Sequence, residues 1–119
     1  MTGLLNRLLD PTDAGARALR QRATLHIVPN MNPDGSFRGH LRTNAAGANL
    51  NREWGPTGDY EAPTLARSPE VYMVREKIRE TGCDAFVDVH GDEGLPHIFF
   101  GTSSCLLMVW LLLTRLPLL

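Results

Sequence analysis

Apolar residues at helical spacing open the chain and predict its first elements. Four leucines recur on one helical face, and Pro11 marks the end of that helix. These leucines are Leu4, Leu5, Leu8 and Leu9. Ala14–Arg22 predicts a second short helix or a continuation of the first. Residues 24–28 are apolar and β-branched around His26, which predicts a short buried strand with His26 as a core or edge side chain.

A long polar segment follows this strand and extends to about residue 67. Its asparagines, glycines and prolines favour an irregular loop. Pro33-Asp34-Gly35 predicts a turn, because proline presets φ, aspartate bonds to nearby backbone and glycine accepts a positive φ. An irregular connection of this length in a compact domain is usually either functional or disordered.

A helix is predicted after the loop by Ser68-Pro69-Glu70, which combines an N-cap, a proline at the first helical position and an acid in the first turn. It should extend to about Thr81, with Gly82 as the C-cap. Its buried stripe recurs at i, i+3 and i+7, and consists of Val71, Val74 and Ile78.

Two further strands are predicted towards the end of the chain. Ala85–Val89 is apolar except for Asp88 and predicts a buried parallel strand ending at His90. Open α/β sheets place their sites at the carboxyl ends of their strands, so His90 is a candidate functional residue. Residues 97–100 predict a third strand.

Length, charge and cysteine usage limit the class of protein. The 119 residues suffice for one small domain. The net charge is −1 and neither sign forms a block, so nothing indicates a nucleic acid or an anionic membrane as partner. Cys83 and Cys105 do not make a disulfide framework, and the N-terminus does not resemble a secretory signal. A reducing, cytoplasmic location is therefore expected.

The chain ends in a leucine-rich segment that differs from the rest. Its uninterrupted apolar part, residues 105–113, is less than half of the roughly 20 residues that a bilayer span needs. We interpret residues 104–119 as an aberrant tail, produced by truncation or a frameshift.

The polar segment carries the candidate chemistry. Its asparagines and the arginines Arg38, Arg42 and Arg52 suit the binding of a small anion, because a guanidinium meets a carboxylate through two hydrogen bonds. The alternative is a solvated loop that uses asparagine and glycine only for its turns. Composition alone does not separate the two interpretations.

Four ordered motifs favour the functional interpretation: NPDG at 32–35, RGHLRTN at 38–44, GANLNREW at 47–54 and DVHGDE at 88–93. Together they resemble the zinc carboxypeptidase family, the carboxypeptidase A-like metallopeptidases, over about residues 3–102. The cytosolic carboxypeptidase-like branch is the most similar. The resemblance implies an α/β fold, a fragment of a three-layer α/β/α sandwich with a mixed sheet, and residues 1–103 as a partial catalytic domain.

The resemblance also implies roles for individual residues. His90 matches the third zinc ligand, and Asn51 and Arg52 match the pair that binds the terminal carboxylate of the substrate. Arg42 matches the arginine that polarises the scissile carbonyl. One zinc ion is expected in the complete domain. The family's His-x-x-Glu motif, which supplies the other two ligands, would precede residue 1, and its general-base glutamate would follow Glu93.

Three functions follow from these expectations. The first is a partial metallocarboxypeptidase that removes C-terminal residues from peptides or proteins by zinc-dependent hydrolysis, and that is inactive by itself. The second is a non-catalytic remnant that binds carboxylates through Arg42, Asn51 and Arg52 without a complete zinc site. The third is a small membrane-associated protein anchored by its tail. The expected partner is a peptide or protein C-terminus. His40 and His97 have no implied role, and we interpret both as structural.

Overall fold

The computed structural model describes residues 2–56, 58–89 and 109–115. Helices dominate the first part of the chain and strands the last. The elements follow one another as α1 Thr2–Leu9, α2 Ala14–Arg22, β1 Ala23–Val28, α3 Pro33–Arg38, a 3₁₀ turn Leu50–Arg52, α4 Pro69–Thr81, β2 Ala85–Val89 and β3 Val109–Arg115. The predicted helices α1, α2 and α4 and a strand over residues 24–28 are therefore confirmed. The strand is not buried as predicted, since five of the six residues of β1 are half-buried and one is exposed.

A short polar connection joins α1 to α2. Asp13 is the N-cap of α2, and its carboxylate accepts a hydrogen bond from the backbone N–H of Ala16 at 2.8 Å. The Arg7 guanidinium donates to the same carboxylate at 2.7 Å. The cap satisfies a backbone N–H that has no partner within the helix, and so it defines where α2 begins.

The Asp13 cap should make the stability of this region depend on pH. The hydrogen bond from Ala16, followed by that from Arg7, lowers the pKa of Asp13 below its ordinary value. Such a carboxylate stabilises the folded state above its unfolded pKa, about 3.9, and the contribution is lost as the pH falls through the folded pKa.

Asp13→Asn tests this effect because asparagine keeps the cap but not the charge. We expect the unfolding free energy of the native chain to fall, relative to that of the variant, as the pH decreases below about 4. Denaturant titrations of both chains at several pH values measure the difference. A difference that does not change with pH would contradict the prediction.

Two short helical elements lie within the segment that the sequence predicted as irregular. Pro33 opens α3 rather than a simple turn, because the side chain of Asn32 caps the helix by accepting from the backbone N–H of Gly35 at 3.0 Å. Gly39 ends α3 with φ at 73°. The prediction of a wholly irregular segment was wrong, because local side-chain caps stabilise elements too short for periodicity to show.

The hydrophobic core lies between the polar segment and α4. Met31, Ala48 and Leu50 from the segment pack with Val71 of α4, and each is at most 3% exposed. Half-buried apolar side chains surround this cluster, namely Val28, Trp54 and Val74. The segment is thus attached to α4 in part by its own apolar residues. Ile78, the last residue of the predicted stripe, is half-buried.

The three strands form one sheet in the order β1-β3-β2. β3 pairs antiparallel with both neighbours, with Val28 opposite Trp110 on one side and Asp88 opposite Trp110 on the other. The prediction that Ala85–Val89 is a buried parallel strand was wrong, since its pairing is antiparallel and four of its five residues are exposed. An apolar run predicts a strand, but it does not specify which segment pairs with it or covers it.

The end of the chain contributes to this sheet. Residues 109–115, part of the segment interpreted as an aberrant tail, form β3 and lie between β1 and β2. The division of the chain at residues 103 and 104 stays a prediction. The strand predicted over residues 97–100 lies outside the described residues.

Within the described part of the chain, no helix could cross a membrane. The longest of them, α4, has 13 residues, and a bilayer span needs about 20.

Candidate functional site

A cavity of about 260 Å³ opens in the surface of the polar segment. Met31, Leu41 and Leu50 form its apolar wall. Its polar side chains come from three stretches of the segment and are Asn30, Asn32, Ser36, His40, Arg42, Asn49 and Asn51. A small apolar site with a few polar groups is the usual form of a ligand-binding cavity.

Hydrogen bonds of the Asn32 side chain fix the part of the cavity wall formed by the start of α3. Oδ1 of Asn32 caps α3, and Nδ2 donates to the carbonyl oxygen of Thr43 at 2.9 Å. This arrangement requires glycine at position 35, since a Cβ there would lie well inside 3.0 Å of both the Asn32 side chain and the Thr43 carbonyl oxygen. Asn32 therefore ties α3 to the residue that follows Arg42.

The loop that carries Arg42 is closed by the buried side chain of Asn44, which is 2% exposed. Its Oδ1 accepts from the backbone N–H groups of Ala46 and Ala48, both at 3.0 Å. Its Nδ2 donates to the carbonyl oxygen of Arg67 at 2.8 Å. A buried amide with these partners holds residues 44–48 in one conformation and links them to the start of α4.

The 3₁₀ turn presents Asn51 to the cavity. The side chain of Asn49 caps the turn by accepting from the backbone N–H of Asn51 at 3.2 Å, and Leu50 is anchored in the core. Arg52 follows directly and is half-buried, and its Nη1 donates to the carbonyl oxygen of Asn51 at 3.2 Å. The cavity wall includes Asn51 but not Arg52.

Glu53 anchors the end of the 3₁₀ turn to α4. Its carboxylate is 1% exposed and accepts from Arg67 Nε at 2.8 Å and from the Ser68 hydroxyl. Its backbone carbonyl oxygen accepts from Arg75 Nη1 at 3.1 Å. The hydrogen bond to Glu53 is the main cause that raises the pKa of the Arg67 guanidinium. Glu53 is thereby bonded at three points to α4 and to the two residues that precede the helix.

Ser68 differs from its predicted role. α4 begins at Pro69 as expected, but Ser68 makes no side-chain cap bond to the helix. Its hydroxyl is fully buried and donates to Glu53 instead. The N-cap prediction was right about position and wrong about the bond, because a buried carboxylate from a distant part of the chain competes for the hydroxyl.

The structure brings together two of the residues that the sequence selected. Arg42 and Asn51 line the same cavity, nine positions apart in sequence, and Arg52 adjoins it. The proposed metal ligand, His90, lies outside the described residues. Across residues 2–56, 58–89 and 109–115, no three His, Cys, Asp or Glu side chains come together in a way that could hold a metal ion.

His40 is a cavity residue that the sequence interpretation treated as structural. Its ring Nδ1 lies 3.3 Å from the carbonyl oxygen of Asn44. The sequence feature that could have identified His40 as a cavity residue was its position two residues before Arg42 in the RGHLRTN motif. In a loop, two residues so close together can line the same cavity, but the sequence does not show on which side of the loop either one lies.

A family model described as zinc carboxypeptidase matches residues 1–106. An uncharacterized protein of Zymomonas mobilis is 61% identical over 99 residues, which are 83% of this chain and 24% of that protein. Human cytosolic carboxypeptidase-like protein 5 is 39% identical over 59% of this chain and 7% of its own length.

Mouse cytosolic carboxypeptidase 6 is 31% identical over 71% of this chain and 16% of its own length. The chain therefore spans at most about a quarter of these three relatives. No solved structure matches it.

Proposed function

Because the chain belongs to the zinc carboxypeptidase family, we propose that it is part of a metallocarboxypeptidase that removes C-terminal residues from peptides or proteins. One observation supports this proposal more than any other. Arg42 and Asn51, which come from separate motifs, line the same small cavity. A guanidinium and a side-chain amide in one cavity suit the oxygen atoms of a peptide C-terminus.

Three residues bind the substrate in this proposal. Asn51 and Arg52 bind the terminal carboxylate, and Arg42 donates to the carbonyl oxygen of the bond to be cleaved. A donor placed at that oxygen stabilises the negative charge that develops on it during hydrolysis. Arg52 has five N–H groups, of which one donates to the Asn51 carbonyl oxygen, so donors remain for a carboxylate.

Zinc is the cofactor that the family uses, and His90 is the ligand that we propose from this chain. The described residues do not by themselves fit a zinc ion, since they contain no suitable group of three ligands. No catalytic step is therefore assigned to the metal. We also propose that the complete domain is a three-layer α/β/α sandwich with a mixed sheet, and that the protein is cytoplasmic, as the names of its cytosolic relatives suggest.

A second function is that of a carboxylate-binding module without a complete zinc site. Two findings favour it. The cavity contains Arg42 and Asn51, and the described residues contain no group of three side chains that could hold a metal ion. Zinc titration of the purified chain tests whether the residues of this chain hold the metal by themselves. Binding of one zinc per chain that is lost in His90→Ala would rule out the module, whereas carboxylate binding without zinc binding fits both functions, because the resemblance places two of the enzyme's ligands before residue 1.

The proposed substrate-binding role predicts a large effect at Arg42. A short peptide with a free C-terminus should bind, and the same peptide with a C-terminal amide should bind much more weakly. Arg42→Ala should weaken binding of the free acid by roughly 10- to 150-fold, because a hydrogen bond to a charged group contributes about 1.5–3 kcal/mol. Isothermal titration calorimetry measures both comparisons.

Arg38→Ala is the matched control for this experiment. Arg38 is an exposed arginine at the end of α3 and is not part of the cavity wall. We expect it to change the affinity by less than about 3-fold, since exposed charges contribute little. Equal losses in the two variants would show that Arg42 makes no specific contact with the peptide, and equal binding of acid and amide would show that the cavity does not bind the carboxylate.

A further inference from the structure

The ring of His40 has a defined hydrogen-bonding state. Its Nδ1 faces a backbone carbonyl oxygen, that of Asn44, and a carbonyl oxygen can only accept. Nδ1 must therefore carry the proton. In the neutral ring Nε2 is then an acceptor, and it makes no hydrogen bond within the described residues.

The partner that sets this state is rigid. Asn44 is buried, and its side chain is bonded to Ala46, Ala48 and Arg67. Its carbonyl oxygen is therefore held in place against the exposed ring of His40. The hydrogen bond orients the ring as well as selecting the tautomer, which is how proteins prepare a histidine for a ligand.

A bound peptide also requires a hydrogen-bond acceptor for its amide N–H groups. A peptide C-terminus presents carboxylate and carbonyl oxygens, which accept, and amide N–H groups, which donate. Arg42 only donates. The oxygens of Asn32 and Asn49 already accept from the backbone N–H groups of Gly35 and Asn51. Nε2 of His40 is an acceptor on the cavity wall that makes no hydrogen bond within the described residues, so it can accept a peptide N–H without giving up another bond.

We propose that His40 is a further substrate-binding residue, and that its Nε2 accepts an amide N–H from one of the last two residues of the bound peptide. This assignment depends on the proposed function, because it places the peptide in the cavity with Arg42. It specifies the ligand as a peptide backbone rather than as any small carboxylate. His40 thus distinguishes a peptide from a free organic acid.

The test combines a change in the peptide with a change in the protein and measures binding affinity. The full 119-residue chain and its His40→Ala variant are titrated with a free-acid peptide and with two singly N-methylated forms, one at the last residue and one at the residue before it. Methylation removes one N–H and keeps the carboxylate. We expect His40→Ala to weaken binding of the parent peptide by roughly 2- to 13-fold and to leave the affinity for one methylated form unchanged.

Leu41→Ala is the control, because Leu41 lines the same cavity and has no polar side chain. It should change the affinity of the parent and of each methylated peptide by the same factor. Thermal melts establish that the His40 and Leu41 variants are folded, which is expected because both side chains are exposed. His40→Phe repeats the test with an aromatic ring of similar size that has no nitrogen.

The outcomes separate this proposal from the proposed function. If His40→Ala weakens all three peptides equally, or none of them, His40 does not accept an amide N–H, although peptide binding through Arg42, Asn51 and Arg52 can still stand. If Arg42→Ala leaves the parent affinity unchanged, or the parent peptide does not bind, the proposed function fails and this proposal fails with it.

Discussion

Glu53→Ala should reduce the free energy of unfolding by about 3 kcal/mol, with denaturant titration as the measurement. The carboxylate is 1% exposed and accepts hydrogen bonds from Arg67 and Ser68. Its removal leaves the fully buried Ser68 hydroxyl without that acceptor, which by itself costs about 1–3 kcal/mol.

Removing the Glu53 partner of the Arg67 charge costs less unfolding free energy than it would in a fully buried ion pair. Breaking such a pair costs about 3–5 kcal/mol because the remaining charge stays out of water. The side chain of Arg67 is 43% exposed and also contacts Glu61, so water and Glu61 stabilise its charge after Glu53 is removed. The expected cost therefore lies at the low end of that range.

Glu61→Ala is the matched control, since Glu61 pairs with the same guanidinium but its side chain is 58% exposed. Exposed ion pairs contribute up to about 1 kcal/mol. If the Glu53 and Glu61 variants lost the same stability, the buried carboxylate would not be the residue that holds the 3₁₀ turn against α4.

The second large effect is expected at Gly35. Gly35→Ala should destabilise the fold by about 2–4 kcal/mol, because an added methyl group overpacks the site and disrupts the hydrogen bond from Asn32 to Thr43. The atoms in the way include a backbone carbonyl oxygen, which cannot move aside as a flexible side chain can. Thermal unfolding and calorimetry measure this loss.

The same substitution should also weaken peptide binding. The bond from Asn32 to Thr43 lies beside Arg42, so its disruption moves one wall of the cavity relative to the guanidinium. Gly3→Ala is the control, because Gly3 lies in α1 with no atom near its missing Cβ. Alanine there should stabilise the helix by about 0.5–1 kcal/mol. A Gly35→Ala chain as stable as the native one would show that the close approach of Asn32 and Thr43 is not required.

Local features were the most predictable from the sequence. Pro69 at the start of α4 and Gly82 at its end act through their own backbone preferences, so the structure has that helix where it was expected. α3 was missed although Asn32 and Pro33 are a cap and a first helical residue, because six residues contain too few turns for an apolar period.

The roles predicted for the site residues stay predictions, and the structure shows how some of these residues are arranged. Arg42 and Asn51 were selected from motifs, and the structure places both on one cavity wall. His40 was not selected, because its position depends on the carbonyl oxygen of Asn44, which in turn depends on contacts with Arg67. No local pattern contains that information.

The sequence by itself indicated the family, through four motifs that resemble it. It also determined the positions of the longer helices and the chemical groups available to bind a carboxylate, because these follow from backbone preferences, apolar spacing and residue types, which act over a few positions. Only the tertiary structure decided that Ser68 donates to Glu53 instead of capping α4, that Ala85–Val89 pairs antiparallel, and that His40 shares a cavity with Arg42. Each of these depends on which distant groups meet, and a hydrogen bond or strand pairing is set by its partner as much as by the residue itself.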